Sequence, residues 1–236
     1  MPDGPPFELF GASHLWTLGL IAAIGILLPL AVRRLRPSAA GAVAVALALL
    51  MLGQEVADLT VQFRHRGPSV HLLPLHLCSL ALFITAWALV SRRPRVFEVA
   101  YFWAFAGTTQ ALLTPDLAAG FPAPGYLFFF AGHGLVVIGV LYGVIALGLR
   151  PVPRSIWRVT LITLALAAVI FGINAWLGTN FLYLMAKPPG PSLLDWFGPW
   201  PWYWIGLLLV GLVSFGLLYL PFLLLDLARR PRHGQR

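Results

Sequence analysis

The chain has 236 residues, of which 59% are hydrophobic and only 10% are charged. A soluble domain carries about 25% charged residues, so this composition excludes a water-soluble fold and a disordered chain. The mean hydropathy of +0.85 predicts an integral membrane protein with a single domain over residues 1–236. The net charge of +8 does not indicate nucleic-acid binding, because the basic residues stand in short clusters between apolar stretches.

Seven stretches of the sequence are long and apolar enough to cross a bilayer, which takes about 20 residues of helix. We therefore predict an all-α fold, a bundle of seven transmembrane helices joined by short loops rich in Arg, Pro and Gly. Proline just past an apolar stretch ends a helix because it lacks the N–H donor. The predicted spans are 13–32, 39–59, 70–90, 96–114, 125–148, 156–178 and 201–225.

The basic residues predict the orientation of these spans. With the N-terminus outside, thirteen arginines fall in the inner segments, and only Arg64, Arg66 and Lys187 fall outside. Cytoplasmic loops are enriched in Lys and Arg, so we expect a cytoplasmic C-terminus in a multi-pass protein of the plasma membrane. Residues 1–10 carry Asp3 and Glu8 but no basic residue, so no cleavable signal peptide is expected.

A tryptophan-rich segment lies just before the last predicted span. Residues 196–204 hold four of the nine tryptophans, at positions 196, 200, 202 and 204. Tryptophan is typical of the membrane–water interface, so this segment predicts an interfacial aromatic belt. A rim that gates a cavity is the alternative interpretation.

Polar side chains are concentrated in the predicted outer halves of five helices. Since polar groups inside a bilayer are costly, this one-sided distribution predicts one polar cavity that opens toward the outer face. At the inner ends, Glu98 and Asp226 are instead expected to meet arginines. The outer-half residues considered as candidates are Glu55, Asp58, His71, His76, Cys78, Thr108, Thr109, Gln110, Asp116, His133 and Asn174.

Cys78 and His133 each lie 8 residues into their predicted spans, counted from residues 70 and 125. At 1.5 Å per residue both are about 12 Å below the outer end, so a thiol and an imidazole on different helices can meet. Gly132 and Gly134 would allow close helix approach. A lone cysteine is also a common small apolar residue, and a buried histidine often only hydrogen-bonds a neighbouring helix.

Zinc binding is the competing chemistry for His71, His76, His133 and Asp116. No HExxH or comparable spacing is present. His76 and Cys78 are two residues apart, so on a helix they would project from nearly opposite faces and could not easily share a ligand. We therefore expect no metal and no cofactor. The single cysteine also excludes an intramolecular disulfide.

Five segments together resemble the bacterial YwaF-like integral membrane proteins. They are HLLPLHLCS at 71–79, FWAFAGTTQALLTPD at 102–116, FAGHG at 130–134, KPP at 187–189 and GPWPWY at 198–203. That bacterial family is similar to eukaryotic transmembrane protein 164, which is described as an acyltransferase that places polyunsaturated chains on ether phospholipids. The eukaryotic protein is described as using a cysteine and a histidine as its catalytic pair.

The resemblance implies that Cys78 is the nucleophile and His133 its base, with membrane phospholipid and lysophospholipid as partners. The expected enzyme is a lipid acyltransferase, or an acyl hydrolase if water is the acceptor, that forms a thioester. A non-enzymatic lipid or small-molecule binder or transporter is the alternative, although a transporter would favour midplane polar residues and a repeat. The other candidate residues are expected to support this reaction. Oxyanion stabilisation is expected from Thr108, Thr109, Gln110 or Asn174. Orientation of a histidine is expected from Glu55, Asp58 or Asp116, and substrate binding or orientation from His71 and His76.

Overall fold

The computed structural model describes residues 4–188 and 193–229, and this part of the chain is helical, with no β-strand within it. It confirms the all-α prediction. A π-helical turn, Ala104–Thr108, joins α4 to α5, so residues 94–113 form one continuous helical segment. The helices are α1 (Ala12–Leu35), α2 (Ala40–Arg66), α3 (Leu77–Ser91), α4 (Pro94–Trp103), α5 (Thr109–Leu113), α6 (Pro124–Ile145), α7 (Ser155–Leu177) and α8 (Tyr203–Arg229).

In the described part of the chain, five helices are long and apolar enough to cross a membrane. They are α1, α2 with the short 3₁₀ turn before it, α6, α7 and α8, each with at least the roughly 20 residues that a bilayer requires. The chain is therefore a multi-pass membrane protein. Helix α3 is apolar but has only 15 residues, and the segment 94–113 is interrupted by its π turn.

Helix α6 lies at the centre of the bundle, where it packs against α1, α2 and α3. More than half of its most apolar stretch, 56%, is buried, whereas the corresponding value for α7 and α8 is 17%. Two glycines allow this close packing. A Cβ at Gly139 would stand 2.4 Å from the Met51 side chain, and one at Gly143 would stand 2.3 Å from the Phe97 ring. Any larger residue there would push α6 away from its neighbours.

The third helix differs most from its predicted bounds. It begins at Leu77, so the predicted start at residue 70 is wrong, and α2 continues to Arg66 instead of ending near residue 59. Helix α2 ends at Gly67, whose φ of +74° is in the left-handed region. Pro74 then forces Leu73 into an extended conformation, with φ −60° and ψ 130°, so a helix cannot continue through this segment.

Two ion pairs hold the arginine-rich end of the bundle, which we define by the loops at residues 36–39, 92–93 and 146–154. The Arg158 guanidinium donates to the buried Glu98 carboxylate and joins α7 to α4. The Arg150 guanidinium lies 2.5 Å from the Asp226 carboxylate and joins the α6–α7 loop to α8. The prediction that both acidic residues meet arginines is confirmed.

Exposed tryptophans lie at both ends of α7. Trp157 is 66% exposed at the arginine-rich end, and Trp176 is 83% exposed at the opposite end, which we call the cavity end. Nineteen residues separate them, a rise of about 28 Å, which is close to the thickness of a bilayer hydrocarbon core. Trp196, Trp200 and Trp202 are exposed too, a pattern typical of an interfacial belt.

We predict that Glu98→Gln destabilises the protein more than Asp226→Asn. The Glu98 side chain is only 4% exposed, so its loss leaves the Arg158 charge without its buried partner, at a cost of about 2 kcal/mol. Both members of the Arg150–Asp226 pair are more than one-third exposed, so its loss costs less than about 1 kcal/mol. Thermal unfolding of the two variants in the same detergent checks this, and equal midpoints would contradict it.

Candidate active site

A cavity of about 280 Å³ lies at the cavity end between α2, α3 and α6, and we call it the thiol cavity. It brings together Cys78 and His133, which the sequence placed on different helices. It also contains two of the predicted acidic residues, Glu55 and Asp58. The other side chains that line it are Gln54, Gln62, Arg66, Ser79, Leu82, Leu117, Gly125, Phe128, Phe129 and Gly132.

Cys78 is the second residue of α3, one turn from the end of the bundle rather than two turns inside a helix. His76 precedes the helix in an extended conformation, and no side chain caps the first turn of α3. The N-terminal end of a helix carries about half a positive charge, so this position stabilises negative charge at the sulfur and on atoms bonded to it.

The hydrogen bonding of His133 fixes which of its ring nitrogens can act as a base. Nδ1 lies 2.8 Å from the carbonyl oxygen of Phe129, one turn earlier in α6. Because a carbonyl only accepts, Nδ1 carries the proton of the neutral ring and Nε2 keeps its lone pair. Nε2 has no hydrogen-bond partner among the described residues. The Phe129 ring stacks on the imidazole, with centroids 4.1 Å apart, and restricts its rotation.

One face of α2 supplies the polar wall of the thiol cavity. Gln54, Asp58, Gln62 and Arg66 follow one another at intervals of four residues, which places them in one row on a helix. The Gln62 amide donates to the Asp58 carboxylate at 3.0 Å. Gln62 and Arg66 were not among the candidates from the sequence, although their four-residue spacing from Asp58 is a signal that identifies them.

Glu55 is the buried acidic group of this wall, with 8% of its surface exposed. The Ser79 hydroxyl, next to Cys78 in sequence, is within hydrogen-bonding reach of the Glu55 carboxylate. Since the Nδ1 proton of His133 goes to a backbone carbonyl, the orienting partner of the imidazole in this structure is Phe129 rather than Glu55, Asp58 or Asp116.

Gly132 allows the wall of α2 to approach α6 beside His133. A Cβ at this position would stand 3.0 Å from the Gln54 amide oxygen and 3.1 Å from its nitrogen. The same amide nitrogen donates to the Phe128 carbonyl at 3.1 Å. A side chain at residue 132 would displace this amide and change the spacing between α2 and His133.

His71 and His76 lie in a second cavity of about 220 Å³, which we call the histidine cavity. The polar residues therefore divide between two cavities, not the single one that the sequence predicted. The polar residues lie in two cavities because α3 begins at Leu77 and not at residue 70, which leaves residues 70–76 outside this helix. The other residues of the histidine cavity are Gly178, Thr179, Asn180, Phe181 and Tyr183.

Asn174 has a structural part in this region. Its side-chain oxygen accepts from the Thr179 hydroxyl at 2.8 Å and from the Phe181 N–H at 2.9 Å, and its amide donates to the Phe181 carbonyl at 2.9 Å. These bonds fold the segment after α7 against the histidine cavity. The side-chain oxygen and one of the two amide N–H donors of Asn174 are therefore engaged within this segment.

The other predicted oxyanion donors lie on the π turn and α5, outside the linings of both cavities. The Thr109 hydroxyl donates to the Ala104 carbonyl at 3.3 Å, and the Gln110 amide donates to Thr114 at 3.1 Å. The Thr108 hydroxyl is buried and has no partner in the described part of the chain. The π turn does pack against the start of α3, since a Cβ at Gly107 would stand 3.0 Å from the Leu77 side chain.

Tyr183 connects the histidine cavity to Cys78. Burial raises the pKa of the Tyr183 phenol, and the nearby Asp116 and Cys78 raise it further. The phenol therefore stays protonated at neutral pH. In the described residues, no group of three His, Cys, Asp or Glu side chains is placed to hold a metal ion.

We predict that Cys78 reacts with a lipid-like electrophile, such as a fatty-acyl chloromethyl ketone, at a rate that depends on His133. Replacing His133 by Ala removes the Nε2 base and should slow alkylation about 100-fold. The matched control is His65→Ala, an exposed histidine outside both cavities. Intact-protein mass spectrometry measures the reaction, and equal rates in the two variants would contradict a functional pair.

Comparisons with known proteins identify the family to which the chain belongs. The profile of the TMEM164 family matches residues 9–219, which include both cavities. An uncharacterized protein of Treponema pallidum (strain Nichols) is 32% identical over 192 residues, or 80% of this chain and 79% of that protein. No solved structure matches the chain. The length of the profile match shows that the chain belongs to the TMEM164 family.

Proposed function

We propose that this protein is a membrane-embedded lipid acyltransferase that carries an acyl chain on Cys78 as a thioester. The observation that supports this most strongly is that Cys78 and His133, from α3 and α6, line one cavity, with the Nε2 lone pair of His133 unengaged in the described structure. Membership of the TMEM164 family supports the same proposal. The substrates are a phospholipid as acyl donor and a lysophospholipid as acceptor, with hydrolysis when water is the acceptor.

In the first half of the reaction, Nε2 of His133 takes the thiol proton as the Cys78 sulfur attacks the ester carbonyl carbon. The carbon–oxygen bond of the ester then breaks, and the imidazolium returns the proton to the leaving alkoxide. This step yields a thioester and a lysolipid. In the second half, Nε2 takes the proton of the acceptor hydroxyl, the hydroxyl oxygen attacks the thioester carbon, and the thiol is regenerated with that proton.

Backbone donors in the first turn of α3 take over the role that the sequence assigned to side chains. The tetrahedral intermediate on Cys78 carries a negative oxygen, and we assign its stabilisation to the N–H groups of Cys78 and Ser79 in the first turn of α3, which no side chain caps. Removing one such donor from an oxyanion site typically costs about 10²–10³ in rate. The chain needs no additional polar side chain from the π turn or α5 for this purpose.

The proposed topology has seven crossings. In this proposal, helix α3 and the segment 94–113 add two crossings to the five long apolar helices, so the two termini lie on opposite sides of the membrane. The proposed orientation has the N-terminus outside and the C-terminus in the cytoplasm. The arginine clusters near residues 33–36, 92–95 and 150–158 then share the cytoplasmic side. In this orientation the thiol cavity opens to the outer leaflet of the plasma membrane, at the depth of lipid ester groups.

Replacing the nucleophile tests the proposed reaction. We predict that Cys78→Ala abolishes acyl transfer from a labelled phospholipid to lysophospholipid in proteoliposomes, and that His133→Ala lowers it by about 10²–10⁴ because the base is lost. His65→Ala serves as the control and should retain activity. Full activity in Cys78→Ala would exclude the nucleophile and leave a lipid-binding protein as the better account.

Cysteine accessibility tests the orientation. In a Cys78→Ala background, we predict that His65→Cys reacts with a membrane-impermeant maleimide on intact cells, whereas Arg95→Cys reacts only after the cells are opened. The reason is that α2 ends at the cavity end and α4 begins at the arginine-rich end. If Arg95→Cys is labelled on intact cells and His65→Cys is not, the topology is the opposite of the one proposed.

A further inference from the structure

We propose that the histidine cavity binds a phosphate group through His71, His76 and Tyr183. Resting on the proposed function, the inference specifies the acyl donor as a phosphate-bearing lipid whose headgroup occupies this cavity while its ester lies over Cys78. From the sequence alone, the two histidines are expected to bind or orient a substrate. The structure adds the cavity in which they lie and a third residue, Tyr183.

The donors that line the histidine cavity are the first reason. Within the described residues, the two imidazoles and the Tyr183 phenol have no side-chain hydrogen-bond partner. The other polar side chains of the lining are engaged, since Thr179 donates to Asn174 and Asn180 donates to the Ala186 carbonyl. No acidic residue belongs to the lining, and the nearby Asp116 carboxylate lies outside it. A set of free N–H and O–H donors without carboxylates suits a phosphate, which presents only acceptors and negative charge.

The surroundings of His76 favour a neutral imidazole, which can still donate one hydrogen bond. The His76 ring makes an edge contact with Phe181, with centroids 5.2 Å apart, and lies 6.2 Å from the Tyr183 ring. Partial burial lowers the pKa of His76. A neutral imidazole carries one N–H, so the site does not require a protonated histidine to bind an anion.

The contrast with the thiol cavity is the second reason. That cavity presents the Glu55 and Asp58 carboxylates, and neither forms an ion pair in the part of the chain that the structure describes. The Arg66 guanidinium also lines this cavity, but it is one cation beside two acidic groups, so the cavity disfavours a phosphate, whereas carboxylates accept hydrogen bonds from a hydroxyl. The phosphate of a bound lipid is therefore directed to the histidine cavity, and the hydroxyl of an acceptor to the thiol cavity.

Proximity to the nucleophile is the third reason. His76 immediately precedes α3 and is two residues from Cys78, and the Tyr183 ring lies 6.2 Å from the His76 ring. The ester carbonyls of a glycerophospholipid lie only a few bonds from the phosphate. A phosphate held between these residues thus leaves an ester carbonyl within reach of the sulfur, beside the positive end of α3.

The segment that carries Tyr183 is held in place before any ligand binds. Leu182 and Tyr183 both have φ in the left-handed region, +59° and +53°, which non-glycine residues seldom adopt. The Tyr203 hydroxyl donates to the Tyr183 carbonyl at 2.5 Å, and the Asn180 side-chain oxygen accepts from the Met185 N–H at 2.9 Å. These bonds hold the phenol at the edge of the cavity, so little ordering is needed on binding.

Binding to the Cys78→Ala protein tests the inference without any catalysis. The probes are dihexanoyl phosphatidylcholine, dihexanoylglycerol, which lacks the phosphate, and inorganic phosphate, each followed by native mass spectrometry in detergent. We expect His71→Ala with His76→Ala to raise the Kd for the phospholipid at least about tenfold, and Tyr183→Phe to raise it about threefold, as expected for the loss of donors to a charged group. Binding of dihexanoylglycerol should change less than about twofold, because it makes no contact through a phosphate.

The inorganic phosphate arm distinguishes the source of the ligand group. If inorganic phosphate competes with the phospholipid, and this competition is lost in the double histidine variant, the cavity binds the free anion as well as the headgroup. If the phospholipid binds without such competition, the cavity binds phosphate only as part of a lipid. His65→Ala is the matched control. The inference is overturned if the double variant and Tyr183→Phe leave phospholipid binding unchanged, or weaken binding of both lipids equally. Because Cys78 is absent throughout, this outcome is independent of whether a thioester forms.

Discussion

The interruption of the chain between α2 and α3 determines where the candidate nucleophile lies. Gly67 ends α2, Pro74 holds Leu73 in an extended conformation, and His76 is extended as well, so α3 begins at Leu77. Cys78 therefore stands in the first turn of a helix, where backbone N–H groups lack intrahelical partners. An uninterrupted helix from residue 70 would have placed the thiol mid-helix, with every nearby N–H already bonded. The site depends on this break more than on any single side-chain contact.

The same interruption separates two chemical environments at one end of the bundle. On one side, α2 and α6 enclose the thiol with carboxylates, an amide and the imidazole of His133. On the other, His71 and His76 meet the segment after α7 and form a lining without acidic residues. The first environment suits proton transfer and a hydroxyl-bearing acceptor, and the second suits an anionic headgroup. Cys78 lines the first of these environments, and His76, two residues before it in the chain, lines the second.

The backbone supplies functions that side chains often supply in soluble enzymes. The Phe129 carbonyl holds the Nδ1 proton of His133, in the place where a carboxylate or amide side chain would otherwise stand. The first turn of α3 presents N–H groups where a separate donor residue would otherwise be needed. Using backbone groups in place of polar side chains suits a membrane interior, where each additional polar side chain costs free energy.

Much of the architecture was predictable from the sequence, because hydropathy and charge indicate which segments lie inside the bilayer and which lie at its surfaces. The helical fold, the Glu98 and Asp226 ion pairs and the grouping of polar residues at one end all follow from these two signals. The pairing of Cys78 with His133 in one cavity was likewise anticipated, although from a depth argument that assumed the wrong start for α3. The late helix start depends on local backbone conformation around Pro74, which hydropathy does not report.

The remaining features depend on contacts that no local pattern contains. The partner of Nδ1 is a backbone carbonyl, and the polar atoms of Asn174 are engaged by a segment that folds back on α7. Tyr183 reaches the neighbourhood of Cys78 from more than a hundred residues away in sequence. Each of these follows from tertiary packing, so it becomes visible only once the helices are placed.

The most direct test of the account is the mass of the intact protein after incubation with a phospholipid of known acyl composition. The account predicts an increase equal to one acyl group, located at Cys78, removed by neutral hydroxylamine as thioesters are, and greatly reduced in His133→Ala. An unmodified protein that nevertheless transfers acyl chains, or an acyl adduct located on another residue, would contradict it.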